Sequence, residues 1–287
     1  MNSRVSASEV VTYYDQCEVD YRWLWHLDNN YAMHYGYWNE DTNHLRDALK
    51  NMNQYITDNL DVRAGQRLLD AGCGVGGTAV YIGKSFDVDI HGITLSQHQV
   101  DKASERSARL NLLGRTHFSA QDYCNTSFDD DFFDSIYGIE SICHANEKSD
   151  FLNEASRLLK PNGTLVVGDF FKTKSVDRPE NAALISKWAD TWAVPDFADT
   201  TDFIQKAKRA GLSLIENNLI TEKIKKSAKR LHLMFYPGIV MQTILKPLGI
   251  RNAVQGKNVW STYYQYKSLT KGLWEYRVLK FSKTKKP

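Results

Sequence analysis

A glycine-rich segment directly after an acidic residue is the part of this sequence best suited to holding a ligand. It begins at Asp70 and continues as Ala-Gly-Cys-Gly-Val-Gly-Gly to Gly77. Glycine lets a backbone turn sharply and lets a ligand lie against it. Gly72, Gly74 and Gly77 also fit the G-x-G-x-x-G pattern of dinucleotide-binding loops. A nicotinamide enzyme would usually place an acid about 20 residues further on, where this chain has Thr94, so the loop alone leaves two kinds of ligand open.

Further polar side chains follow two later predicted strands. Gln121 and Asp122 come directly after the third strand, and Glu140 and His144 come after the fourth. The last two are four residues apart, so they share one face if this stretch is helical. Histidine titrates near neutral pH and suits proton removal. Parallel sheets bind ligands beyond the carboxyl ends of their strands, so we expect these side chains beside one ligand.

Strand-like and helical segments alternate along the chain, which favours a parallel sheet with helices on both faces. We expect a single α/β domain over residues 1–287, with a doubly wound, mostly parallel, seven-stranded Rossmann-like sheet. Residues 1–60 form an N-terminal helical cap, residues 61–171 the ligand-binding core, and residues 172–287 the remainder of the sheet with a basic, aromatic lid at about 223–266. The predicted strands are Gln66–Leu69, Val88–Ile93, Thr116–Ala120, Phe133–Gly138, Thr164–Gly168, Ser213–Leu219 and Glu275–Ser282.

Charge is strongly polarised along the chain, although the formal net charge is only +2. Residues 1–222 hold 21 Lys and Arg against 33 Asp and Glu, whereas residues 223–287 hold 15 Lys and Arg against Glu275 alone. Such a basic region suits an anionic membrane surface contacted peripherally, a diphosphate-bearing substrate or the acidic part of the same chain. A solvated basic surface is the remaining interpretation. We expect no nucleic-acid partner, because no recognition motif accompanies the charge.

Composition predicts a cytoplasmic protein without a metal site. Cys17, Cys73, Cys124 and Cys143 form no Cys-x-x-Cys pair, which argues against structural zinc and against a disulfide framework. The N-terminus lacks the apolar stretch of a secretory signal. Polar residues and two prolines interrupt the longest apolar stretch, residues 231–250, so it is a poor membrane span. The sequence leaves the oligomeric state open.

Four segments resemble one group of enzymes. The loop from Asp70 to Gly77 resembles motif I of the class I S-adenosylmethionine methyltransferases. Residues 94–99, Thr-Leu-Ser-Gln-His-Gln, resemble the T-L-S-x-x-Q segment of cyclopropane fatty acid synthases and tocopherol methyltransferases. Residues 137–145 resemble the Y-x-I-E-x-x-C-H-A segment of sterol C-methyltransferases, and residues 34–38, His-Tyr-Gly-Tyr-Trp, resemble an element that precedes motif I in that group.

This resemblance implies S-adenosylmethionine as the cofactor, S-adenosylhomocysteine as its product, and no metal. It implies that Tyr35 closes over the cofactor and that Glu140, His144 and Tyr35 are the catalytic residues. We interpret Ser96 as a helix cap. The implied cofactor-binding residues are Asp70, Gly72, Cys73, Gly74, Gly76, Thr94, Leu95, Gln99, Gln121, Asp122, Glu140 and Tyr35.

The acceptor that the sequence favours is a lipophilic, alkene-bearing small molecule methylated on carbon, such as a sterol, a prenyl quinol or a prenyl diphosphate. Aromatic residues cluster at both ends of the chain, and aromatic faces stabilise a carbocation. Lys225, Lys226 and Lys229 of the lid suit a diphosphate or an anionic membrane. Two alternatives stay open: N- or O-methylation of a natural product or amine, and cyclopropanation of lipid chains. A non-enzymatic cofactor-binding module would leave Glu140 and His144 without a role.

Overall fold

An eight-stranded sheet forms the centre of the computed structural model, which describes residues 4–112 and 115–284. The strands are β1 (Arg67–Ala71), β2 (Asp89–Thr94), β3 (Thr116–Ala120), β4 (Phe133–Ile139), β5 (Leu159–Lys172), β6 (Ala198–Asp199), β7 (Leu212–Leu219) and β8 (Trp274–Lys283). Seven of them lie in the order β3-β2-β1-β4-β5-β8-β7, and β6 pairs with the end of β5. The five strands β1 to β5 run parallel to one another, and β8 is antiparallel to both of its neighbours, β5 and β7.

The predicted doubly wound, mostly parallel α/β sheet is confirmed, with the two-residue β6 as an eighth strand. One strand is longer than predicted, because β5 begins at Leu159 rather than Thr164. The Asn162-Gly163 dipeptide, whose composition predicts a turn, lies inside β5 at a register shift: Phe133 pairs with Leu159, but Ser135 pairs with Thr164.

Ten α-helices cover the two faces of the sheet in the described residues. They are α1 (Ala7–Trp25), α2 (Leu27–Asn30), α3 (Leu45–Leu60), α4 (Gly77–Ser85), α5 (Gln97–Arg109), α6 (Lys148–Leu158), α7 (Pro179–Thr191), α8 (Thr200–Arg209), α9 (Thr221–Leu245) and α10 (Ala253–Thr270). Ser6 and Glu9 form a capping box at α1, and Ser96 caps α5 as predicted. Leu113, the predicted end of α5, lies outside the described residues.

The predicted lid is a hairpin of α9 and α10, packed against each other and against α7 and α1. A buried ion pair fixes its turn: Arg251 donates to both carboxylate oxygens of Asp20 in α1, at 2.7 and 2.8 Å. Asn258 donates to the same carboxylate at 2.9 Å. Among the helices that the structure describes, none combines the length and apolarity that a membrane crossing demands.

We expect Arg251→Met to lower the free energy of unfolding by about 3 kcal/mol, because it leaves the Asp20 carboxylate buried without its cation. The Asp20 side chain is only 12% exposed. Urea denaturation followed by circular dichroism measures the change. Lys257→Met is the matched control, since Lys257 and Asp190 form an exposed pair at 3.5 Å that is worth less than about 1 kcal/mol. Equal losses in the two variants would contradict the structural role of the buried pair.

Candidate active site

The carboxyl ends of β1, β2 and β4 open into a cleft. Helix α1 and the segment after α2 form the opposite wall. The residues that line the cleft are Val10, Val11, Tyr14, Tyr31, Ala32, Met33, His34, Asp70, Gly72, Cys73, Gly74, Val75, Gly77, Thr78, Thr94, Leu95, Ser96, Gln99, Tyr123, Ile139, Glu140, Ser141, His144 and Trp192. The structure therefore brings together most of the predicted site residues, at the edge of the sheet where they are expected.

The glycine loop forms the floor of the cleft because its backbone adopts turns that other residues disfavour. Gly72 has a φ of 91°, and a Cβ at this position would overlap the side chain of Ser141. Gly76, which is not among the lining residues, is the N-cap of α4 at a φ of 76°. The N-terminal end of α4 thus follows directly on the loop, and the backbone N–H of Ala79 in its first turn donates to the Asp70 carboxylate.

Asp70 is buried at the end of β1 and lines the cleft. Burial raises the pKa of Asp70 to about 7, although its carboxylate accepts a hydrogen bond from the Tyr137 hydroxyl at 3.0 Å. A cationic ligand group in the cleft would favour the ionised form and offset the cost of burying that charge.

The end of β2 presents the three predicted residues Thr94, Leu95 and Gln99 to the cleft. The Thr94 hydroxyl donates to Gln99 Oε1 at 2.6 Å, which fixes both side chains. Ser96, besides capping α5, donates to the Asp15 carboxylate at 2.7 Å and so ties α1 to this edge. Asp15 was not predicted as a site residue, because its partner is 81 residues away in sequence.

Gln121 and Asp122 lie outside the cleft, as do the predicted site residues Gly76 and Tyr35. Asp122 is exposed, and its carboxylate accepts from the backbone N–H of Cys124 at 2.8 Å within its own loop. Gln121 accepts from the backbone of Ser127 at 2.8 Å. Tyr123 of the same loop lines the cleft instead. The adenine-binding role of Asp122 stays a prediction.

Glu140 lies where the cleft meets a second cavity, and it contributes to the walls of both. Its backbone has a φ of 52°, a left-handed conformation that costs a non-glycine residue about 1–3 kcal/mol. The carboxylate accepts a hydrogen bond from the backbone N–H of Tyr35 at 2.7 Å. Burial raises the pKa of Glu140 well above its ordinary value. The group is therefore a better proton acceptor than an exposed glutamate.

His144 lines the cleft, and its two hydrogen-bond partners determine which ring nitrogen carries the proton. Nδ1 lies 3.0 Å from the carbonyl oxygen of Ala193, so it carries the hydrogen and donates. Nε2 then accepts from the hydroxyl of Tyr14 at 2.9 Å. Burial lowers the pKa of His144 to about 4, so the ring is neutral at physiological pH. The neutral ring keeps the Tyr14 hydroxyl oriented towards Nε2, and the lowered pKa makes His144 a weaker base than an exposed histidine.

The second cavity, here called the aromatic chamber, is smaller than the cleft. Its walls come from α1, α7, α9 and α10, and it shares Met33, Glu140 and Trp192 with the cleft. The residues lining the chamber are Tyr13, Tyr21, Leu24, Trp25, Met33, Tyr35, Glu140, Trp188, Trp192, Leu231, Asn258, Ser261, Thr262 and Gln265. No Lys or Arg is among these described residues.

Tyr35 faces the chamber rather than the cleft, and its hydroxyl donates to Gln265 at 2.8 Å. Phe170, from β5, packs beneath this region. Its ring centroid lies 5.1 to 5.4 Å from the rings of Tyr35, Trp188, Trp192, Trp274 and Tyr276. Three of the six aromatic side chains of the chamber, Tyr35, Trp188 and Trp192, thus meet the Phe170 ring edge to face.

Lys148 is a structural residue of the site that the sequence pattern does not identify. Its buried ammonium donates to the carbonyl oxygens of Cys143, Ala145 and Asp196, at 2.7, 2.6 and 3.0 Å. These bonds hold the turn that carries Glu140 and His144. A lysine nine residues beyond a strand, at the start of a helix, is typical of an exposed helix surface, and only the folded chain shows where its ammonium points.

This sheet order and this cleft define a class I S-adenosylmethionine-dependent methyltransferase. The chain belongs to the mycolic acid cyclopropane synthetase family, whose model matches residues 2–231. It is 32% identical over 222 residues to the O-methyltransferase rstn1 of Aspergillus nomiae, covering 75% of this chain and 94% of that one. It is 28% identical over 213 residues to cycloartenol-C-24-methyltransferase 1 of rice, covering 73% of this chain and 60% of that one.

Among solved structures, that of mycolic acid cyclopropane synthase CmaA1, complexed with S-adenosylhomocysteine and CTAB, superimposes with a TM-score of 0.81. The two chains are 18% identical, and the match covers 99% of this chain and 100% of the other. At this identity the likeness establishes the fold. Together with the family, it makes the chain an S-adenosylmethionine-dependent methyltransferase, as predicted.

We expect His144 to stay neutral well below the pH at which ordinary histidines protonate, near 6.5. Nitrogen-15 NMR of the imidazole rings should show one ring with a protonated Nδ1 and a bare Nε2 that persists down to about pH 4. His144→Gln identifies that signal by its loss. A ring that protonates near pH 6.5 would contradict the buried, carbonyl-bound geometry.

Proposed function

We propose that the cofactor binds in the cleft with its amino-acid part against Gly72 and Asp70 and its ribose near Thr94. The residues fit this ligand, because a buried Asp70 with a raised pKa gains from the cofactor ammonium, and the glycine loop leaves room for close approach. When bound, S-adenosylmethionine supplies a methyl carbon activated by a sulfonium. The wall shared by cleft and chamber, formed by Met33, Glu140 and Trp192, is where we place that methyl group.

We propose further that the acceptor is a neutral, lipophilic small molecule whose alkene enters the aromatic chamber. The observation that carries this proposal is the composition of the chamber wall: six aromatic rings, one carboxylate, and no cationic side chain among its described residues. The described residues of this wall offer no cationic side chain to pair with the phosphates of a prenyl diphosphate. Lys225, Lys226 and Lys229 lie on the exposed face of α9 instead. An uncharged, alkene-bearing group of the acceptor suits this wall better than an anion.

The chain's own residues have three tasks in such a reaction. The chamber holds the alkene carbon in line with the methyl group, and this orientation lowers the barrier. As the new carbon–carbon bond forms and the carbon–sulfur bond breaks, the acceptor becomes cationic, and the faces of Trp188, Trp192 and Tyr35 stabilise that charge. The Glu140 carboxylate then takes the proton from the neighbouring carbon, which restores a neutral alkene.

Methylation of a hydroxyl oxygen is the second candidate, and it is favoured by the neutral His144. An acceptor hydroxyl in the cleft could pass its proton to Tyr14 as the Tyr14 proton moves to His144 Nε2. The name of the Aspergillus nomiae relative supports this chemistry, and that of the rice relative supports carbon methylation. The two candidates differ in which residue receives the proton.

For the cofactor site, we expect Asp70→Asn to weaken binding of S-adenosylhomocysteine by about 10- to 100-fold, since a charge-assisted hydrogen bond is lost. Isothermal titration calorimetry measures the affinity, and the melting temperature checks that the variant is folded. Asp122→Asn is the control that removes an exposed carboxylate outside the cleft. Wild-type affinity in Asp70→Asn would refute the placement, and a loss in Asp122→Asn alone would favour the adenine-binding role predicted from sequence.

For the acceptor, we expect the labelled methyl group of the cofactor to appear on carbon when sterols and prenyl quinols blocked at their hydroxyls are offered. Glu140→Gln should then lower kcat by about 100-fold or more, because a general base is lost, while cofactor affinity stays near wild type. His144→Gln should have the smaller effect. Label found only on the oxygen of free hydroxyls, with His144→Gln the more damaging change, would instead establish the second candidate.

A further inference from the structure

The exposed face of α9 changes from basic to apolar along its length. Lys229 lies near its middle, and Leu233, Tyr236, Val240 and Ile244 follow at steps of four, three, four and four residues. Residues at these steps lie above one another on one face of a helix. All five are exposed, with Val240 at 58% and Ile244 at 59%. One stripe therefore runs from a cationic end to an apolar end.

The apolar end continues past the helix into the turn before α10. Leu248 and Ile250 in this turn are 66% and 65% exposed. Nine of the fourteen large apolar side chains that are exposed in the described residues lie between Leu233 and Trp260. Residues 233–250 are here called the apolar tip. Contiguous apolar surface of this kind marks a site of contact with a protein or a membrane.

The surroundings of the apolar tip are cationic. Residues 221–272 contain ten Lys and Arg and a single acid, Glu222. Lys246 lies exposed inside the tip itself, between Ile244 and Leu248. Apolar side chains flanked by exposed lysines match the interface of an anionic bilayer, where acyl chains lie beneath negative headgroups. A second copy of the chain fits less well, since a two-fold contact would bring the two cationic surfaces together.

The apolar tip also lies on the helix that closes the chamber. Leu231, two residues before the tip begins, lines the chamber opposite α1, where Leu24 lines it. Arg230 donates to the carbonyl oxygen of Leu24, which joins the two helices at this point. The neighbouring Trp23 is 76% exposed. The two helices that wall the chamber at Leu24 and Leu231 therefore also present apolar side chains to solvent on their outer faces.

We propose that the apolar tip docks this enzyme on an anionic lipid surface, with Ile244, Leu248 and Ile250 in the acyl layer and the lysines at the headgroups. Its role in delivering the acceptor rests on the proposed function, whereas the docking itself does not. The contact is peripheral, and its strength comes from buried apolar area together with electrostatic attraction.

Sedimentation of the full chain with vesicles tests the docking. Vesicles of phosphatidylcholine with about 30% phosphatidylserine should bind the protein, and pure phosphatidylcholine should bind it more weakly. Ile244→Asp should lower the affinity by about tenfold or more, because an apolar side chain no longer enters the bilayer. The matched control is Ile215→Asp, which alters an equally exposed isoleucine on β7 and should leave binding unchanged. Lys229→Glu should weaken binding to the anionic vesicles alone.

Three results would overturn the docking: no binding to either vesicle, equal binding by Ile244→Asp and the wild type, or a dimer without lipid that Ile244→Asp dissociates, as seen by sedimentation velocity.

A turnover assay separates docking from the proposed function. Ile244→Asp should methylate a detergent-dispersed acceptor at the wild-type kcat and lose rate on the same acceptor held in anionic vesicles. Absence of any lipophilic acceptor would refute the proposed function and leave the sedimentation result standing.

Discussion

The hydrogen bond from the backbone N–H of Tyr35 to the Glu140 carboxylate joins the two halves of this site. It connects the segment after α2 to the end of β4, 105 residues away. Glu140 reaches this position only through a left-handed backbone, and Lys148 holds the turn that follows. Because the carboxyl group is anchored here, the cleft and the aromatic chamber meet at one titratable side chain.

The parallel sheet and the cleft were predictable because their signals are local. A strand, a glycine loop and a helix follow one another within about twenty residues, and ligand sites of parallel sheets lie at the strand ends. Asp70, Thr94 and His144 therefore fall where the sequence places them. Asp122 follows a strand in the same way, yet its own loop offers a nearer N–H, and the carboxylate turns back to it. A spacing pattern contains no information about that local competition.

The chamber was not predictable from pattern, since its walls are assembled by contacts between distant segments. Tyr35 meets Gln265 across 230 residues, and Asp20 meets Arg251 across 231. The sequence indicates aromatic residues at both chain ends without showing that they face each other. The sequence likewise shows that basic residues are concentrated in the C-terminal part of the chain. Only the folded structure shows that three of the four lysines of α9 are exposed and that none of the four lines the chamber.

Helix α1 has a position that affects both cavities. It supplies Val10, Val11 and Tyr14 to the cleft and Tyr13 and Tyr21 to the chamber, and Ser96 fastens it to the sheet through Asp15. One helix therefore contributes to the walls of both cavities. A change in the position of α1 would alter both cavities at once, so a substitution at Asp15, which ties α1 to Ser96, can affect two ligand sites.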